Sequence, residues 1–148
     1  MCAMPAWQCE CSVDVDVPRS LAWQYMADVT NWNDPPAEFA LDGPFASGTR
    51  GWTRMPGQPP HSWQLRDVEP DHGYTIASVL FFDEAELIVR WRFESLSDAK
   101  TRLSQRMELH GENADRYAAD IKAAFEPNLE PGMKRIARLM TAARETAR

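Results

Sequence analysis

Residues 7–17 alternate strictly: Trp7, Cys9, Cys11, Val13, Val15 and Val17 interleave with Gln8, Glu10, Ser12, Asp14 and Asp16. A period of two sends successive side chains to opposite faces, so the segment predicts a strand with one buried face. Pro18 ends it, and proline suits the first turn of a helix. Leu21, Trp23, Tyr25, Met26 and Val29 follow at helical spacing, predicting a helix over 18–28. Trp32 closes this segment, because Asn33-Asp34-Pro35-Pro36 cannot continue a helix.

Shorter elements come next. Residues 37–42 predict a short strand, and 43–51, with three Gly and a Pro, predict turns. Strands are expected over 51–55, over 61–69 before Pro70, and over 74–82, with a tight hairpin turn at 71–73 and another turn at 83–84. Over 85–95, Leu87, Val89, Trp91 and Phe93 share one face, while Glu86, Arg90, Arg92 and Glu94 share the other; Ile88 breaks the pattern. Over 100–110, Leu103, Met107 and Leu109 face one side and Lys100, Arg102, Arg106 and Glu108 the other. The polar Gln105 falls on the apolar side.

The remainder is helical. Tyr117, Ile121, Phe125, Leu129, Met133, Ile136 and Met140 recur three or four apart and form one apolar stripe. Pro127 and Pro131 interrupt it, and an interior proline loses a hydrogen bond and clashes with the preceding turn, so a kink or short break is expected around 126–131. The order is strand, helix, a meander of about six strands, long helix. Such a sheet has one apolar face to cover, and only the C-terminal stripe is long enough to cover it. The fold class is therefore α+β: a curved antiparallel sheet of six to seven strands around a long C-terminal helix, with one or two short helices after the first strand.

Length and composition fit this picture. The chain has 148 residues, 44% hydrophobic and 26% charged, which is ordinary globular composition and suits one domain over 1–148. The net charge of −6 disfavours nucleic acid as a partner. Charge is uneven: residues 133–148 carry Lys134, Arg135, Arg138, Arg144 and Arg148 against Glu145, which reads as a solvated helix end favoured by the dipole. No apolar run is long enough to span a bilayer or to serve as a signal-peptide core. Three cysteines, all near the N-terminus, are not a disulfide framework. The expected location is the cytoplasm.

Four segments resemble, in order, the START-like (helix-grip) superfamily, in its polyketide cyclase/dehydrase and lipid transport (SRPBCC) branch. Residues 13–32 resemble that family's opening strand, proline and aromatic helix, and 41–51 its Gly-Pro-Phe and Gly-Thr loop. Residues 63–70 resemble its strand ending in Val-Glu-Pro, and 100–111 its last strand before the C-terminal helix. These are turn and packing residues. The resemblance implies a fold and a sheet-to-helix cavity; the family's carriers, aromatic cyclases and dehydratases all remain open.

The search for chemistry is mostly negative. No nucleophile elbow or phosphate loop is present; Ser47 sits in a loop without a base at a defined spacing. Cys9 and Cys11, even with Cys2, fall short of a metal site, and His61, His72 and His110 lie in unrelated places. Neither a metal nor a cofactor is expected, and no residue is assigned as catalytic. His61, Arg66, Asp67 and Gln105 are the polar groups that parity or a strand end could bring to the cavity; Asp34 reads as a turn residue.

The expected function is binding of a small hydrophobic or aromatic molecule, lipid- or polyketide-like. Trp52, Trp63, Leu65, Val89, Trp91, Phe93, Leu103, Gln105 and Met107 would line the sheet side, and Phe125, Met133 and Ile136 the helix side. Gln105 would orient the ligand. The alternatives are a cyclase or dehydratase using a polar residue in the same cavity, or a protein-interaction module with a filled core. A homodimer stays open.

Overall fold

A computed structural model describes residues 4–79 and 85–146 of the chain. Strand β1 (Trp7–Val15) leads into helix α1 (Arg19–Ala27) and a 3-10 turn over Val29–Trp32. Then come β2 (Glu38–Leu41), β3 (Arg50–Arg54), β4 (His61–Glu69), β5 (Gly73–Val79), β6 (Glu86–Ser97) and β7 (Lys100–His110). The chain ends in α2 (Ala114–Thr146). The end of the strand expected over 74–82 and the turn at 83–84 lie outside the described residues.

All seven strands form one antiparallel sheet in the order β1-β7-β6-β5-β4-β3-β2. The meander runs from β2 to β7, and β1 closes onto β7 with Trp7 opposite Leu109 and Val15 opposite Thr101. The α+β helix-grip arrangement follows from the alternation. Leu87, Val89, Trp91, Phe93, Leu103, Met107 and Leu109 put an apolar inner face on β6 and β7, where buried Thr101 bonds the Val17 carbonyl at 2.7 Å and Gln105 is half-buried. This face must be covered, and α2 covers it with Ile121, Leu129, Met133 and Met140. Leu65, Leu103 and Leu109 are fully buried. Burial of each such side chain contributes about 1.5–3 kcal/mol.

The outer face pairs its charges across strands. Arg102 bonds Asp14 at 2.9 Å, and Arg66 bonds Glu86 at 3.1 Å. Glu108 is the buried member of this face and meets Arg90 at 2.9 Å, His110 at 3.0 Å and Arg106 at 3.3 Å. Burial alone would raise its carboxyl, but the bonds from Arg90 and His110 hold it below the ordinary range. Ile88, between Ala77 and Glu108 on this face, is buried as well, which accounts for the break in the β6 alternation.

Two expectations need correction. Of the kink or short break expected around 126–131, the break does not occur: α2 runs uninterrupted through Pro127 and Pro131. Both prolines lie on the exposed side, four residues apart, where water can bond the carbonyls they leave free, while the stripe opposite is held by the sheet. The parity of β4 fails after Leu65. Asp67 takes a left-handed conformation (φ 50°) where the pairing with β5 shifts register. This bulge turns Val68 toward the core and leaves Asp67 exposed.

Candidate functional site

The sheet and α2 do not close on each other completely. A cavity of about 350 Å³ remains between them, within the few-hundred-Å³ range of small-molecule sites. Its sheet wall is Tyr74 and Ile76 of β5, Trp91 of β6, and Gln105 and Met107 of β7. Its helix wall is Phe125, Asn128, Leu129, Gly132, Arg135 and Ile136 of α2. Met26, Trp32, Asp34, Ala37 and Phe39 complete it from the α1–β2 side.

Gly132 helps to make this space. A methyl group built on it meets nothing within 4 Å. It stands on the cavity wall without a side chain of its own.

The α1–β2 connection is pinned by side chains that bond backbone. Trp32 Nε1 donates to the Met26 carbonyl at 2.8 Å, and Asn31 Nδ2 to that of Tyr25 at 2.8 Å. Phe39 N–H donates to Asn33 Oδ1 at 2.8 Å. Asp34 and Ala37 exchange backbone bonds around a cis Pro35–Pro36 bond. These contacts set the Trp32 ring and the Asp34 carboxylate at the cavity.

The polar groups are few. Arg135 reaches Asp34 at 3.5 Å and the Asn33 carbonyl at 3.4 Å. Asn128 Nδ2 bonds the Ala124 carbonyl of its own helix at 2.9 Å. Tyr74 is packed among five rings, near-parallel to Trp32 and Trp91 and edge-on to Phe45. Its hydroxyl is buried and has no hydrogen-bond partner among the described residues. Burial pushes its phenol well above the ordinary value, so the group is a neutral donor.

No family model matches the sequence, and no curated protein matches it. Solved structures do. The Zhui aromatase/cyclase from Streptomyces sp. R1128 aligns over 90% of this chain and 93% of its own, with a TM-score of 0.70 and 16% identity. The chain has the START-like helix-grip fold. Norcoclaurine synthase from Thalictrum flavum, solved with dopamine and hydroxybenzaldehyde, aligns over 90% of this chain and 85% of its own (TM-score 0.65, 10% identity). The di-domain aromatase/cyclase BexL of the BE-7585A biosynthetic pathway aligns over 89% of this chain (TM-score 0.68, 19% identity). The present chain spans about half of that protein, 45% of its length.

Within this START-like fold, the expected binding residues divide into groups. Trp91, Gln105, Met107, Phe125 and Ile136 stand on the cavity wall. Trp63, Leu65, Val89, Phe93, Leu103 and Met133 are buried in the filled part of the core instead. The Phe93 ring, for example, packs edge-on against Trp23 of α1 at 5.4 Å. Trp52 falls on the outer face: it pairs with Ser62, while its neighbour Gly51 pairs with Trp63, and its Nε1 bonds Asp42 at 2.7 Å. His61 is exposed at the start of β4, and Arg66 points outward to Glu86. Neither these two nor Asp67 lines the cavity.

Sequence reasoning missed Trp32, Asp34, Tyr74, Ile76, Gly132 and Arg135. Tyr74 and Ile76 were legible as alternating positions of β5. Gly132 and Arg135 flank the apolar stripe of α2 at helical spacing. Asp34 carried no signal, because its place depends on the fold of the Pro-Pro turn.

Proposed function

We propose that this chain, as one START-like domain, binds a small aromatic or apolar molecule between its sheet and α2. The observation that carries the reading is the cavity itself, walled by Trp32, Phe39, Tyr74, Trp91, Met107 and Phe125. Aromatic and methionine surfaces stabilise flat or irregular apolar bodies through burial, and a few polar groups fix orientation. Gln105 remains the orienting group on the sheet side: its amide has no hydrogen bond among the described residues. A lipid- or polyketide-like ligand fits this wall. The remaining space weighs against the filled-core interaction module.

The test is fluorescence titration with the neutral probe N-phenyl-1-naphthylamine. Saturable enhancement at one probe per chain is expected. A linear, unsaturable response sinks the reading.

A cyclase or dehydratase is the second reading. One observation favours it: Asp34 and Arg135 bring charges of opposite sign into contact at the cavity, beside an apolar wall. Such a pair can hold or move a proton on a bound carbonyl compound. A poly-β-keto thioester analogue that cyclises faster with the protein, and loses that acceleration in Asp34→Asn, would support it; unchanged kinetics would remove it.

A further inference from the structure

We propose that the ligand is an amphipathic anion, its apolar body against the sheet and its negative group on Arg135 at the cavity mouth. This inference rests on the binding reading above and adds to it the charge of the ligand.

Among the described residues lining the cavity, Arg135 is the single cation and Asp34 the single anion. A guanidinium offers five N–H donors in a planar fork matched to carboxylates and similar oxyanions. Arg135 spends little of this capacity. Its contacts, 3.4 Å to the Asn33 carbonyl and 3.5 Å to Asp34, are longer than charge-assisted hydrogen bonds normally are. The neighbouring Lys134 is committed elsewhere, to Glu130 at 2.8 Å.

Asp34 is a weak rival for this guanidinium. Its side chain is 65% exposed against 34% for Arg135, and a pair that open to water and salt contributes little. A ligand whose body is buried against Trp91, Ile76 and Met107 would deliver its anionic group to Arg135 from the apolar side. There the effective dielectric is lower and the attraction stronger. The net charge of −6 opposes an anion at long range, but salt screens that term beyond about 8 Å at physiological ionic strength, so the local contact decides. A cationic ligand is the competing outcome, since the aromatic wall would favour it and Asp34 would pair with it.

Two probes with one skeleton separate these cases. N-phenyl-1-naphthylamine is neutral, and 1-anilinonaphthalene-8-sulfonate adds a single negative group. Both are titrated into the full chain at fixed salt, in wild type, Arg135→Met and Asp34→Asn. Arg135→Met should weaken the sulfonate about tenfold more than it changes the affinity of the neutral probe. Asp34→Asn should strengthen the sulfonate two- to fivefold, because it removes the rival. A general disturbance of the site would weaken both probes alike, and that result overturns the proposal. So does a sulfonate affinity unmoved by Arg135→Met or lowered by Asp34→Asn. Failure of the neutral probe to bind wild type would instead sink the binding reading on which the proposal stands.

Discussion

Replacing Tyr74 by phenylalanine should make the ligand-free protein more stable. The residue is 2% exposed, and its hydroxyl has no partner among the described residues. Ring centroids of Trp23, Trp32, Phe45, Trp91 and Phe93 lie 5.0–6.2 Å from its own. Tyr74→Phe keeps the ring and all of these contacts, and removes only the oxygen. Leaving a buried polar group unpaired costs about 1–3 kcal/mol, so the expected gain is about 1–2 kcal/mol. For a chain of this length that corresponds to a rise of about 2–8 °C in Tm. Urea unfolding followed by tryptophan fluorescence measures it, with an unchanged m-value showing that only stability moved. A loss of stability would refute the reasoning, since it would mean that the hydroxyl is well bonded in solution. A gain would mean that the buried oxygen is kept at the expense of stability.

Three further outcomes follow from packing and charge. Gly51→Ala should destabilise by about 1–3 kcal/mol, as overpacking does, because the added methyl would run into Cη2, Cζ2 and Cζ3 of Trp63; the urea midpoint reads it. Gly132→Ala should stabilise by up to about 1 kcal/mol, the helix-propensity difference, since its methyl enters open space; an unchanged or lower Tm would contradict the open position. Glu108→Gln should cost about 1–3 kcal/mol at neutral pH through weakened charge-assisted bonds. The folded carboxyl lies below its ordinary value of 4.5, so this contribution is complete above that value and disappears as pH falls through the lower folded one. Urea midpoints of wild type and Glu108→Gln should therefore converge in acid, and a constant gap down to pH 3 would show that the charge is not what Glu108 supplies.

The elements whose alternation covers a charged outer face were legible directly. β1, β6 and β7 show it, since Asp14, Arg90, Arg102 and Arg106 could not be buried without partners. The α2 stripe was equally legible, because it is the only apolar surface long enough to cover the sheet. What parity could not give was position along the curved sheet. Phe93 and Gln105 share the inner face, yet Phe93 packs under Trp23 while Gln105 faces the gap. That difference comes from where α1 and α2 cross the sheet. Nor could parity foresee the left-handed Asp67, which reverses the face of every later residue in β4. Trp52 was misplaced for a simpler reason: β3 is short, and its inward position is Gly51, which gives no hydrophobic signal because the Trp63 ring fills its space.

The most direct test of the cavity as a binding site is titration of N-phenyl-1-naphthylamine into wild type and Gly132→Leu, with thermal melts of both. Leucine is a good helix former, so the variant should melt no lower than wild type. Gly132 stands on the cavity wall with open space around its built methyl, so the leucine is expected to fill part of the cavity. The account predicts saturable one-to-one binding to wild type and at least tenfold weaker binding to the variant. Equal affinity in two equally stable proteins would place the probe elsewhere and contradict it.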